Sequence, residues 1–143
     1  MGNPNVGKST VFNALTGLHQ HTGNWPGKTV AVAQGEYAYA AARYAVTDLP
    51  GAYSLTTGSE EEHIAADYLR AHTDACLVAV CDATCLARSL PFAIQLMQRW
   101  PRVIVCVNLM DEAKRKGIHI DLEGLEKNLG VPVVGASARS GKG

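Results

Sequence analysis

Gly2-Asn3-Pro4-Asn5-Val6-Gly7-Lys8-Ser9 sets two glycines, a lysine and a hydroxyl in the order GxxxxGK[ST]. Glycines at those places let a backbone curl until successive N–H groups face one point, and a helix starting at the lysine adds positive potential there. Such a loop binds a chain of phosphates, with Lys8 bridging the outer ones and the Ser9 hydroxyl available to a magnesium ion. Three more segments follow in order. Asp48-Leu49-Pro50-Gly51 offers a carboxylate for the magnesium shell and a glycine N–H for a terminal phosphate. Asn108-Leu109-Met110-Asp111 offers a carboxylate that can accept both the N1–H and the exocyclic amino group of guanine, a donor pair that adenine lacks. Ser137-Ala138 offers a backbone N–H to the guanine O6. Singly these are ordinary, since the second is a common turn and a strand-end aspartate also serves as a helix cap. Their order and spacing together point to a guanine nucleotide.

Four such segments must be brought together by rigid elements, and the chain has room for one domain with a real core at 143 residues. Thirteen Lys and Arg balance 13 Asp and Glu, so there is no polycation and a nucleic-acid partner is disfavoured. Apolar residues make up 47% and charged residues 18%, which excludes disorder and implies extensive burial. The longest apolar runs, residues 75–81 and 103–107, fall far short of the ~20 needed to cross a bilayer. No basic-then-apolar leader follows Met1, so the expectation is a soluble, cytoplasmic chain. Cys76, Cys81, Cys85 and Cys106 form no CxxC pair and read as reduced thiols. The five histidines are scattered and read as solvated.

Alternating apolar and amphipathic stretches indicate an α/β fold with a mostly parallel sheet. A helix is expected over residues 8–15, stopping near Gly17, and a polar loop after it. Two strands, 28–33 and 36–48, are expected as an antiparallel hairpin turning at Gly35. Residues 59–72 read as a helix with a Ser59/Glu62 capping box. Buried strands are expected at 75–81 and 103–108 around a helix at 86–100, then a helix at 121–129 and a last strand at 131–136. Only Met1 precedes the phosphate loop and nothing follows Gly143, so the expectation is one domain, 1–143, truncated at its N-terminal strand and C-terminal helix.

Together the motifs resemble the guanine-nucleotide-binding domain of the FeoB ferrous iron transporters, within the P-loop GTPases. The likeness covers nearly the whole chain: the loop 2–9, Gly23-Asn24-Trp25-Pro26-Gly27-Lys28-Thr29-Val30, Asp48 to Leu55, Asp82-Ala83-Thr84, Asn108 to Ala113 and Ser137-Ala138-Arg139. The Asn-Trp-Pro-Gly and Asp-Leu-Pro-Gly-Ala-Tyr-Ser-Leu segments are the specific ones. GTPases of ribosome assembly or tRNA modification usually carry Arg-Asp after the first-switch threonine, where this chain has Val30-Ala31, so they form the second reading.

The resemblance implies a three-layer P-loop sandwich that binds GTP or GDP with magnesium. It implies nucleotide contacts from Gly2, Asn3, Asn5, Val6, Gly7, Lys8, Ser9, Thr10, Gly27, Lys28, Thr29, Asp48, Gly51, Asn108, Leu109, Asp111, Ser137 and Ala138. Ser9, Thr29 and Asp48 would hold magnesium, and Asn5 a potassium ion beside the β and γ phosphates. Lys8, Thr29, Gly51 and Asn5 would carry hydrolysis. Ala52 stands where many GTPases place a water-orienting glutamine, which implies slow hydrolysis, and Leu109 replaces the usual lysine with an aliphatic face for the base. Implied partners are a helical domain and a membrane permease of the full-length protein, with homo-oligomers of that transporter, on the cytoplasmic side of the inner membrane.

Overall fold

The computed structural model describes residues 1–17, 20–24, 31–51 and 60–143, with side chains described for 1–17, 32–51 and 62–143. Strands β4 (Leu77–Asp82), β5 (Val103–Asn108) and β6 (Val133–Gly135) form a parallel sheet in the order β4-β5-β6. The apolar runs of β4 and β5 are explained by burial on both faces. Leu77, Ala79, Cys81, Val103, Val105 and Val107 enter one core with Leu69 of helix α2 (Glu60–Ala71) and Phe92, Ala93 and Leu96 of helix α3 (Leu86–Arg99). On the other face Val80 and Cys106 pack with Val6 and with Val11 of helix α1 (Lys8–Thr16). Leu96 and Val105 are fully buried, each worth roughly 1.5–3 kcal/mol of transfer free energy.

Met1 and Gly2 run beside β4, where the Val80 N–H donates to the Met1 carbonyl at 2.7 Å and Gly2 bridges Val80 in parallel. The phosphate loop therefore leaves directly from the sheet. Helix α1 ends as expected, with Gly17 left-handed at φ 60° and its N–H bonded to the Asn13 carbonyl.

The antiparallel part differs from expectation. Strand β2 (Ala31–Tyr39) runs straight through Gly35, and the turn to β3 (Ala42–Asp48) is made by Ala40 and Ala41, with Ala40 left-handed at φ 53°. Gly35 pairs with Gln20 on one side and Val46 on the other, because the expected polar loop contains a third strand, β1 (Gln20–Asn24). Neither feature carries its usual residues, since two alanines form the turn and β1 is polar. The other expected strands and helices are found with shifts of a few residues at their ends, β6 being the most shortened. Helix α5 (Leu122–Leu129) is capped by Asp121, whose Oδ1 accepts the Gly124 N–H at 2.8 Å. A short helix α4 (Met110–Arg115), unexpected from periodicity, follows β5 at once. The Ser59 end of the anticipated capping box and residues 28–30 of the first expected strand lie outside the described residues. Among the described residues no helix is long and apolar enough to cross a membrane.

Cys81 and Cys106 are buried in the sheet, whereas Cys76 and Cys85 are exposed. Burial pushes the Cys81 thiol up to about 11, against a smaller opposing effect of the Ser89 hydroxyl, and raises Cys106 for the same reason. Iodoacetamide at pH 8 should therefore alkylate Cys76 and Cys85 in the folded protein, and all four only after denaturation. Intact-mass measurement counts the adducts, and four adducts on folded protein would contradict this packing.

Candidate functional site

The loop between β4's neighbour Gly2 and α1 is shaped by close approach and by two left-handed residues. A Cβ on Gly2 would lie 2.5 Å from the Val80 carbonyl oxygen, so only glycine lets the chain leave the sheet there. Asn5 (φ 68°) and Gly7 (φ 82°) reverse the backbone on either side of buried Val6. Asparagine tolerates this region better than other side chains. Helix α1 starts at Lys8, so the free N–H groups of its first turn close the concave side of the loop. Thr10 is exposed on the same turn.

Asp48 at the end of β3 reaches this turn. Lys8 Nζ donates to Asp48 Oδ1 at 2.5 Å, and Ser9 Oγ to Asp48 Oδ2 at 2.9 Å. The side chains of Lys8 and Asp48 are 16% and 10% exposed, so the pair is largely shielded. One hydroxyl and one carboxylate oxygen side by side are the hard donors that magnesium takes, and magnesium completes its shell with water and phosphate. The residues fit that ion. Gly51 lies against the loop, its absent Cβ 3.4 Å from both the Gly2 carbonyl oxygen and the Pro4 nitrogen.

On the far side Asn108, 1% exposed, ends β5. Its Nδ2 donates to the Val6 carbonyl at 3.1 Å and its Oδ1 accepts the Ala138 N–H at 3.1 Å. Gly7 must be glycine for this reason also, because a Cβ there would lie 2.4 Å from Asn108 Nδ2. Leu109 is left-handed at φ 67° and turns the chain into α4. Asp111 is exposed in the first turn of α4, where its N–H donates to Ser137 Oγ at 3.1 Å. An exposed carboxylate beside buried Asn108 can accept two parallel N–H donors.

Three of the expected contact residues are also bonded within the protein. The N–H groups of Ser137 and Ala138, assigned to a base carbonyl, are engaged: Ser137 donates to the Lys142 carbonyl at 2.7 Å and Ala138 to Asn108. The first bond closes the turn after β6 and the second ties that turn to the end of β5. Asn3 turns away from the loop's concave face, its Nδ2 donating to the Arg88 carbonyl of α3 at 3.3 Å. It is 5% exposed, and this side chain ties the loop to the core. Gly27, Lys28 and Thr29 lie outside the described residues, as do Trp25 and Ala52 to Leu55. Sequence reasoning missed the double role of Asn108, which no local spacing signals. Two concavities, about 270 and 460 Å³, lie beside α5 and contain none of these residues.

Comparison with known proteins agrees with this layout. The family model described as "Ferrous iron transport protein B", FeoB_N, matches residues 1–143. The Fe(2+) transporter FeoB of Salmonella typhimurium is 40% identical over 147 residues, a match that spans all of this chain and 19% of that protein. The G domain of the T. maritima FeoB iron transporter superposes with a TM-score of 0.90 at 41% identity, over 99% of this chain and 86% of that one. A GDP-bound point mutant of the S. thermophilus FeoB G domain gives a TM-score of 0.89 at 38% identity, over 97% and 53%. The GMPPNP form of the T. maritima cytosolic domain gives 0.89 at 38%, over 99% and 56%.

Removing the Asn108 amide orphans a buried carbonyl and a buried N–H together. Asn108→Ala should lower stability by about 2–4 kcal/mol, each lost partner costing roughly 1–3. Urea unfolding measures this, and a loss below about 1 kcal/mol would mean that the bridge between the two loops carries little.

Proposed function

This chain belongs to the FeoB family, matched along its whole length by the N-terminal model, and from that premise we propose that it binds GTP and hydrolyses it slowly. The observation that carries the reading is the convergence of Lys8, Ser9 and Asp48 at the mouth of the phosphate loop. Related G domains carry GDP or GMPPNP, which supports the same ligand class here. The chain spans 19% of the length of the Salmonella transporter. Its place in a ferrous iron transporter, on the cytoplasmic side of the membrane and joined to helical and permease domains that form homo-oligomers, is part of this proposal. The ribosome- or tRNA-associated alternative gains nothing, since each protein compared above is a FeoB.

In this reading Lys8 exchanges Asp48 for the outer phosphates, and the loop and first-turn N–H groups take the remaining phosphate oxygens. Ser9 and Asp48, joined by Thr29, hold magnesium, which when bound neutralises charge on the β and γ phosphates. Asn5 contributes its side-chain oxygen to a potassium ion, which supplies further positive charge where an arginine finger would act. Gly51 offers its N–H to the terminal phosphate, and Gly27 and Lys28 belong to the same first-switch segment as Thr29. Asp111 accepts the guanine N1–H and amino group. Asn108 keeps its second Nδ2 hydrogen for the base and Leu109 supplies an apolar face. Ala52 cannot orient the attacking water, so hydrolysis is slow.

A titration with fluorescent GDP and ADP in magnesium and potassium buffer tests this directly. GDP should saturate the chain and ADP should not. Asp111→Asn should weaken GDP by about 10–100-fold, the weight of a charged acceptor facing two donors, and favour xanthosine diphosphate. Equal binding of ADP and GDP, or an Asp111→Asn variant with unchanged affinity, would remove the guanine assignment. Hydrolysis by the unaltered chain should be faster in potassium than in sodium, and Asn5→Ala should abolish that difference. A chain that hydrolyses equally in both salts has no such site at Asn5.

A further inference from the structure

The end of β3 is gripped from both faces. Asp48 faces α1 through Lys8 and Ser9. Thr47, one residue earlier, faces the other way, as successive strand residues do. Its Oγ1 lies 2.8 Å from the Tyr68 hydroxyl of α2, one donating to the other. Tyr68 is itself well held. Ile64, Ala65 and Leu69 beside it are 1%, 0% and 2% exposed, which seats α2 in the core. The His72 ring stacks on the Tyr68 ring with centroids 4.1 Å apart and planes 14° apart, and His72 Nδ1 lies 2.8 Å from the Tyr68 carbonyl.

We propose that Tyr68 is a positioning residue for the magnesium site, acting through Thr47 on Asp48. The proposal rests on the reading above that Asp48 and Ser9 hold the ion. Both side-chain contacts that locate the Asp48 carboxylate are groups the ligand takes over. Lys8 leaves for phosphate, and the Ser9 oxygen turns to the metal. The Thr47–Tyr68 bond is a restraint beside Asp48 that the ligand does not consume. A metal-binding carboxylate loses affinity when its position loosens by about half an ångström, so this second grip matters most when the first is released. It also ties the ion to α2, the helix that follows Gly51 in the chain. Any change in the position of α2 therefore changes the affinity for magnesium, and the ion in turn biases α2 to the same extent.

The test is the rate of release of fluorescent GDP from the full chain as free magnesium is varied, with thermal unfolding of the same proteins alongside. In the unaltered chain release slows as magnesium rises, and Asp48→Asn abolishes the dependence. A chain indifferent to magnesium overturns the reading of Asp48 itself, and with it this proposal. Given that dependence, Tyr68→Phe and Thr47→Val should each raise the half-saturating magnesium concentration by about 3–10-fold, the weight of one hydrogen bond. Thr47→Ser, which keeps the hydroxyl, should stay within about twofold, and the double variant Tyr68→Phe/Thr47→Val should be no worse than either single one. For the Tyr68 and Thr47 variants GDP binding in EDTA should stay within about twofold, since Asp48 has no ion to hold there. An unchanged magnesium midpoint with only a lower melting temperature, or two effects that multiply in the double variant, overturns the role of Tyr68.

Discussion

One buried amide sets the distance between the two halves of the nucleotide site. Asn108 is 1% exposed and spans 102 residues of sequence to reach the Val6 carbonyl, while its oxygen holds the Ala138 N–H. Val6 lies in the phosphate loop and Ala138 in the turn after β6, so a single side chain links the phosphate end to the base end. Both groups it satisfies would be costly to leave unpaired. The approach is close enough that Gly7 can carry no Cβ. The glycine at position 7 and the link between Val6 and Ala138 thus share one cause.

In the proposed function the phosphate end works by exchange. Lys8 and Asp48 neutralise each other in a shielded pair, and each is the natural partner of what the ligand brings: phosphate for the lysine, a divalent cation for the carboxylate. In the proposed function a magnesium nucleotide replaces one paired set of charges with two. The base end is organised differently. Asp111 stands exposed at the start of a short helix, its N–H donating to Ser137 Oγ, while Asn108 bonds Val6 and Ala138 and the Ser137 N–H donates to Lys142. Specificity then depends on one carboxylate held in a rigid frame. Between the two ends, β3 is fixed by α1 on one face and α2 on the other, which places the magnesium ligand next to the helix that follows Gly51.

The parallel sheet was legible because β4 and β5 are buried on both faces, which forces unbroken apolar runs such as Val103–Asn108. The antiparallel strands were less so. Gly35 looked like a turn, yet it lies mid-strand between Gln20 and Val46, and the chain turns at Ala40 and Ala41, whose side chains advertise nothing. Strand β1 is polar because it joins by its backbone to β2, and backbone pairing leaves little trace in residue type. Helix α4, six residues long, is too short for any periodicity to reveal.

For the site, the sequence determined the chemistry. A lysine, a hydroxyl and two carboxylates at their spacing along the chain are the groups from which the proposed phosphate, magnesium and guanine contacts are read. Tertiary structure decided which polar groups remain for a ligand. It spends the N–H groups of Ser137 and Ala138, the Nδ2 of Asn3 and most of Asn108 on the protein, and it joins Thr47 to Tyr68. The physical reason is saturation. Each N–H hydrogen makes one good bond and each oxygen only a few, so a group's availability depends on neighbours that the fold brings from distant parts of the chain.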